Sequence, residues 1–305
     1  MSDFRSGFVA IVGRPNVGKS TLINALVGSK IAITSHHPNT TRSAIRGIVH
    51  GENFQAVLVD TPGVHKPKTL LGHRLNAVVD QSMDSVDVVI LCIPADETSG
   101  AGDIYIAQEI AKHPRAKKFA VITKTDLLSK EKLALRLSGI MELAQGFTWD
   151  EIIPVSAAIH DQIDLLNTLI GAALPAGPAY YPEGTTSDQA IEQLICEFIR
   201  EAALQDVREE LPHSIVVTID EFGEREEKGS RPFYDVHATI HVERDTQRAI
   251  LLGHQGTRLK EIGIRARADI ERALVAKIFL GLHIKVSKEW QRDARMLDKL
   301  GFEER

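Results

Sequence analysis

Apolar and polar positions alternate along this chain on two scales, and the change of scale divides it. In the first half, apolar strand-like runs recur at 8–12, 55–59, 86–93, 119–122 and 152–155. Runs of this kind are the pattern of strands buried on both faces. Between most of them lie segments with helical spacing: Leu22, Ile23, Ala25 and Leu26, then roughly 70–82, 103–112, 130–145 and 161–173. Strands alternating with helices predict a doubly wound, mostly parallel α/β sheet that binds ligands beyond the C-terminal ends of its strands.

Residues 174–184 break this alternation. Three prolines and two glycines in 11 residues cannot continue a helix or a central strand, so the stretch reads as a semi-rigid connector. Beyond it, 190–203 is amphipathic, with Ile191, Leu194, Ile195, Phe198 and Ile199 at helical spacing. Strands are predicted at about 213–222 and 233–243, a short helix near 246–251, a helix at about 257–274, a strand at about 277–286 and a last helix to about 299. The order helix-strand-strand-helix-helix-strand resembles the α+β type II KH fold. The expected division is a first domain over 1–174, a connector over 175–186 and a second domain over 187–305 with its C-terminal helix.

Bulk properties narrow the function class. A length of 305 residues suits two domains. The formal net charge of −5 provides no overall basic field, so a nucleic-acid partner must be served locally. Cys92 and Cys196 lie far apart, which fits a reduced chain rather than a disulfide scaffold. Residues 1–5 lack the apolar core of a signal peptide and no stretch approaches a membrane span, so the expectation is a cytoplasmic protein.

Candidate chemistry sits at the strand ends. Gly13-Arg14-Pro15-Asn16-Val17-Gly18-Lys19-Ser20, with Thr21 following, lies between an apolar run and a helix and fits G-x-x-x-x-G-K-[ST]. A chain this long meets that pattern by chance on the order of 1% of the time. The glycines let backbone N–H groups curl around a phosphate, Lys19 can neutralise β- and γ-phosphates, and the Ser20 hydroxyl can ligate Mg²⁺. The run at 55–59 ends in Asp60-Thr61-Pro62-Gly63. Asp60 can hold Mg²⁺ through water and Gly63 can approach a γ-phosphate, where the plainer alternative is an Asx-type turn. The run at 119–122 ends in Thr123-Lys124-Thr125-Asp126. Asp126 can accept two hydrogen bonds from guanine, a pattern adenine cannot offer, with the Lys124 stem along the base. Backbone N–H groups at Ser156-Ala157 can meet the guanine oxygen.

In the second half, Gly253-His254-Gln255-Gly256 falls between two predicted helices. About one or two G-x-x-G matches are expected by chance in such a length, but between helices the loop can clamp four single-stranded nucleotides. Arg244, Arg248, Arg258, Lys260, Arg265, Arg267, Arg272, Lys277, Lys285 and Lys288 outnumber the nearby acids. The alternative is an ordinary solvated helix face.

Taken in order, these motifs resemble the signatures of a translational-type GTPase, and the whole chain resembles the Era family. The resemblance implies a P-loop GTPase domain followed by a KH domain, with GTP or GDP and Mg²⁺ bound. It implies a switch over 33–42 in which Thr41 or Thr40 joins Ser20 and Asp60 around Mg²⁺. Val64 stands where Ras-like enzymes carry a water-orienting Gln, which implies slow turnover, on the order of one event per hour. Asn16 resembles an asparagine that holds K⁺ in related enzymes, with loop capping as the alternative. Thr123 stands where the family pattern has Asn. Gly253, His254, Gln255, Gly256, Arg258, Lys260, Arg265 and Arg267 match the family's RNA-binding stretch, with Gln255 in place of a common Lys. The implied partner is the single-stranded 3′ end of small-subunit (16S) ribosomal RNA in the 30S subunit, with the protein acting as a monomer that assists subunit maturation. Peripheral membrane association has been suggested for the family, and no basic amphipathic helix here compels it. Two rival readings are a nucleotide-gated RNA-binding protein with negligible catalysis and a P-loop kinase.

Overall fold

The computed structural model describes residues 4–34, 45–60, 86–144, 146–205, 214–225 and 231–300. The chain forms two compact units. In the first, β1 (Arg5–Val12), β2 (Ile45–His50), β3 (Phe54–Asp60), β4 (Val88–Pro94), β5 (Lys117–Thr123) and β6 (Glu151–Pro154) form one sheet in the order β2-β3-β1-β4-β5-β6. All neighbours pair in parallel except β2 with β3. Chain order reverses at β1, which has β3 on one side and β4 on the other. Its C-terminal end is therefore a topological switch point, the usual ligand crevice of such sheets.

Strand alternation sorts the apolar residues into two layers. Val9, Ile11, Leu58, Ile90 and Val121 pack with Leu22, Ile23 and Leu26 of α1 (Lys19–Val27) and with Leu166 and Ile170 of α4 (Ile163–Ala173). Ala10, Val12, Leu91, Ile93 and Ile122 pack on the other side with Ile106 and Ile110 of α2 (Ala101–Ala111) and Ile140 of α3 (Lys130–Met141). Burial on both sides explains why the central strands read as continuous apolar runs. The sequence pattern misses β2, an antiparallel edge strand whose apolar run is broken by Arg46 and Gly47. A side chain at Gly47 would come within 2.6 Å of Ile31 Cδ1. The helix expected at 70–82 lies outside the described residues.

The proline-rich stretch is strapped to the first unit. Ser6 N–H donates to Pro175 O, Gly177 N–H to Phe4 O and Ile48 N–H to Thr186 O, at 2.9–3.1 Å. The buried Gln55 amide does the rest. Its Oε1 accepts from Tyr180 N–H at 2.7 Å and Tyr181 N–H at 3.0 Å, and its Nε2 donates to Tyr181 O at 2.9 Å.

In the second unit α5 (Ile191–Leu204), α6 (Asp245–Leu252) and α7 (Thr257–Leu274) accompany a sheet of β7 (Val216–Arg225), β8 (Phe233–Val242) and β9 (Lys277–Val286). Strand β8 pairs antiparallel with β7, across a bulge between Ile219 and Glu221, and in parallel with β9. Ile195, Phe198 and Ile199 of α5 and Ile262, Ala266 and Ile270 of α7 meet Val236, Ala238 and Ile240 of β8 in its core. Ile33 and Thr34 belong to this unit too. Ile33 is buried in the same core, and the Glu201 carboxylate, 3% exposed, accepts from Thr34 N–H at 3.0 Å and Thr34 Oγ1 at 3.2 Å. Trp290, in a turn before the short α8 (Ala294–Lys299), is fully buried and donates Nε1–H to Ser214 O at 3.0 Å. Both cysteines are free thiols. Burial, and then the charge of Glu197, pushes the Cys196 thiol up to about 12, so it stays protonated and unreactive near neutral pH.

Replacing Gln55 with Leu should leave two amides and a carbonyl of the strap without partners, costing about 1–3 kcal/mol. The expected result is faster hydrogen exchange at Tyr180 and Tyr181 and a lower denaturation midpoint. Unchanged exchange there would show that the strap holds without Gln55.

Candidate functional site

The loop after β1 bends back over the switch point. At Gly13 (φ 152°) a side chain would come within 2.7 Å of the Cys92 carbonyl, and Gly18 (φ 96°) sits directly before α1 in a left-handed conformation. Asn16 is left-handed as well, with φ 64°. No acid occupies the first turn of α1, so its positive end is left to an incoming anion. Lys19 is buried and lies back across the loop, donating to Gly13 O at 3.0 Å and Arg14 O at 2.8 Å. Its charge is thereby held at the mouth of the cradle. This shape and charge fit a bound phosphate chain.

Arg14 anchors the loop from outside. Its guanidinium donates to Asp103 at 2.8 Å and Glu97 at 3.1 Å, and Asp103 is fully buried at the start of α2, where it also accepts from Gly100 N–H at 2.9 Å. Burial opposes the charge on Arg14, but the bonds to Asp103 and Glu97 outweigh it and hold the guanidinium above its ordinary value. Nothing in the spacing of Arg14 and Asp103 announces this pair.

Asp60 ends β3 and its Cα is paired with Ile11 near the end of β1. Its backbone therefore sits beside the phosphate loop; its side chain is not described. Thr40, Thr41, Thr61, Pro62, Gly63 and Val64 lie outside the described residues, so of the residues expected around Mg²⁺ only Ser20 is fully described.

Thr123, 4% exposed, ends β5 with its hydroxyl donated to Val17 O at 2.5 Å. A side chain at Gly18 would touch it at 3.6 Å. A threonine thus makes the bridge to the phosphate loop that the family pattern gives to Asn. Lys124 takes a left-handed conformation (φ 59°) that lifts its side chain out of the strand line, with Nζ 3.8 Å from Asp96. Thr125 N–H donates to Val155 O at 3.3 Å, which joins this turn to the next strand end.

Strand β6 runs beside β5, so Ser156 and Asp126 meet. Ser156 is fully buried and its hydroxyl donates to Asp126 Oδ1 at 2.5 Å. This fixes the carboxylate and leaves its other oxygen for a ligand. Ser156 N–H is occupied by Asp161 O at 3.1 Å, whereas Ala157 N–H makes no hydrogen bond to the described residues. The expected pair of amide donors is therefore one, and the hydroxyl of Ser156 has a positioning role that the sequence did not reveal.

In the second unit α6 ends at Gly253 (φ 69°), where a side chain would come within 2.8 Å of Arg258 Cβ. Gly256 (φ 79°) faces open space and caps α7. The cations of α7 divide between two flanks. Arg258 and Arg265 both donate to Gln205 at the end of α5, at 2.9 and 3.1 Å. Lys260 and Arg267 lie roughly 160–200° further round the helix, where Gly263 comes nearest Leu282 of β9, and Arg267 stands 3.9 Å from Glu271. On that flank Ile264 is exposed, as is Ile250 on α6. Apolar surface beside a glycine loop suits unstacked bases.

Residues 8–124 match the family described as 50S ribosome-binding GTPase, and residues 210–291 match the KH domain. The chain is 53% identical over 304 residues to GTPase Era of Mycobacterium tuberculosis (H37Rv), covering 99% of this chain and 100% of that protein. It is similar to a crystal structure of Era in complex with MgGDPNP and nucleotides 1506–1542 of 16S ribosomal RNA, at 34% identity and a TM-score of 0.92. It is also similar to a variant of Aquifex aeolicus Era bound to GDP·AlF₄⁻, at 34% identity and a TM-score of 0.91. Each similarity covers 99% of this chain and 100% of the other.

Removing only the Thr123 hydroxyl, in Thr123→Val, should cost about 1–2 kcal/mol, an order of magnitude in GDP affinity by fluorescence displacement. Wild-type affinity in a folded variant would separate Thr123 from nucleotide binding.

Proposed function

Because this chain belongs to the Era family of GTPases, we propose that it is a GTP-operated switch that binds the 3′ region of small-subunit ribosomal RNA and assists assembly of the 30S subunit in the cytoplasm. The observation that carries the proposal is the likeness, over 99% of the chain, to an Era that holds both MgGDPNP and 16S ribosomal RNA. The division of labour is a nucleotide domain over 1–174, a connector over 175–186 and an RNA-binding domain over 187–305.

On this reading the N–H groups of residues 13–18 and the N-terminus of α1 cradle the phosphates, and Lys19 balances charge at the β- and γ-groups. Mg²⁺, when bound, would neutralise phosphate charge; Ser20, Asp60 and either Thr41 or Thr40 would hold it. Asp126, aligned by Ser156, accepts from guanine while Ala157 N–H meets the guanine oxygen and Lys124 lies along the base. Thr123 keeps base and phosphate subsites in register. Gly63 and the Thr40–Thr41 pair answer to the γ-phosphate, and Val64 leaves the attacking water without a side-chain partner, so hydrolysis is slow and the bound state long-lived. Gly253 and Gly256 admit the RNA backbone, with Lys260 and Arg267 beside it.

Asp126→Asn should move preference from GTP toward xanthosine triphosphate in a competition assay, since the amide donates where the carboxylate accepts; unchanged preference would overturn the base assignment. Crosslinking of the full chain to cellular RNA should recover the 3′ end of the small-subunit RNA, more strongly with a non-hydrolysable GTP analogue than with GDP. A ligand shifts an equilibrium only through unequal affinity for its two states, so equal RNA affinities would refute the coupling.

A further inference from the structure

Helices α5 and α7 pack on the face of the second unit's sheet that carries Val236, Ala238 and Ile240. The sheet's other face carries the residues that alternate with the core: Lys277, Phe279, Gly281, His283 and Lys285 on β9, and on β8 Phe233, Asp235 and His237, followed by Thr239 and His241, which are buried. The register sets Phe279 opposite Asp235 and hence diagonally between Phe233 and His237. The rings of His237 and Phe279 lie 5.6 Å apart, tilted by 56°, and Phe279 is 46% exposed in the middle of this polar face. A side chain at Gly281 would come within 2.6 Å of His237 Nδ1, so the glycine makes room for the imidazole to lie against the strand.

Charge separates across the face. Strand β9 contains no acid, and its outward Lys277 and Lys285 are exposed. The acid of β8, Asp235, is held at both oxygens by Arg225, at 2.8 and 2.7 Å, and Arg225 also stands 5.0 Å from the centre of the Phe233 ring. Asp220 accepts from Thr239 Oγ1 at 2.7 Å, and Glu221 pairs with His237 across the strands, so the acids gather toward β7. The β8–β9 half is thus a row of rings with cations at each end. Rings that offer a face to any base, set among positive charges that take phosphates, make a platform for single-stranded nucleic acid.

We propose that the outward face of β8 and β9 is a second surface for single-stranded RNA, on which bases stack against Phe279 and His237 while Lys277 and Lys285 meet the phosphates. It extends the reading of the Gly253–Gly256 loop as an RNA clamp and rests on it: β9 packs against α7, which that loop begins, so one strand can serve both surfaces.

The test uses the full chain with a GTP analogue and a fluorescent RNA of about a dozen nucleotides from the small-subunit 3′ end. Phe279→Ala and the pair Lys277→Glu with Lys285→Glu should each weaken binding about tenfold or more. Phe279→Trp, which keeps a stacking ring, should bind like wild type, and GTP hydrolysis should be unchanged in all three. Ultraviolet crosslinks should map to Phe279 or His237. If Gly253→Asp abolishes binding while the Phe279 and lysine variants bind like wild type, this platform is refuted and the clamp stands. A wild-type chain that binds no RNA would overturn both.

Discussion

One buried hydroxyl joins two parts of the proposed nucleotide site that the chain separates by 106 residues: Thr123 at the end of β5 and the Val17 carbonyl in the loop after β1. The loop is otherwise anchored at its far side by Arg14 and the buried Asp103. Between them, these contacts set where the phosphate cradle stands relative to Asp126. A base and a triphosphate belong to one covalently joined ligand of limited reach, so an error in the separation of their subsites costs affinity. The sheet supplies the coarse alignment by placing the ends of β1, β5 and β6 side by side. The hydroxyl supplies the fine one, by reaching the Val17 carbonyl directly.

Much of this could be read from the amino acids. The strands β1, β3, β4 and β5 are apolar in their central stretches because helices cover both faces, and the glycine loop declares itself by its place between a strand and a helix. Strand β2 escaped notice because it pairs on one edge only and its Arg46 and Gly47 interrupt the pattern. The proline-rich stretch reads as a semi-rigid connector, yet backbone bonds and the buried Gln55 bind it down, and no local signal in a glutamine tells which distant amides it will meet. Similar reasons hid the Ser156–Asp126 bond and the Arg14–Asp103 pair: spacing along the chain gives the neighbourhood of two strand ends, not the direction of a hydroxyl or guanidinium. The row of cations on α7 shows the converse. In sequence they form one cluster; wound on a helix they fall on two flanks, and only Lys260 and Arg267 share the side of β9.

The formal charge of −5 would discourage a search for nucleic-acid contacts, and it is a poor guide here because the average conceals where the charges are. Strand β9 carries lysines and no acid, while acids collect along β7, and the acid of β8, Asp235, is paired with Arg225. What an RNA strand meets is the local field within about a Debye length, roughly 8–10 Å, not the sum over the chain.

The pairing of Thr34 with Glu201 bears on how the molecule is made. Ile33 fills part of the core built by Phe198 and Ile199, and the Thr34 hydroxyl and amide both reach a carboxylate 167 residues away. The last hundred residues therefore borrow an apolar plug and two donors from the first forty. During synthesis the early segment must wait, uncommitted, until α5 leaves the ribosome, and the wait is most of the chain long. A fragment cut at the connector would keep every described helix and strand of the C-terminal unit and still be a less stable object, with a gap in the core that holds Phe198 and a buried carboxylate short of two partners.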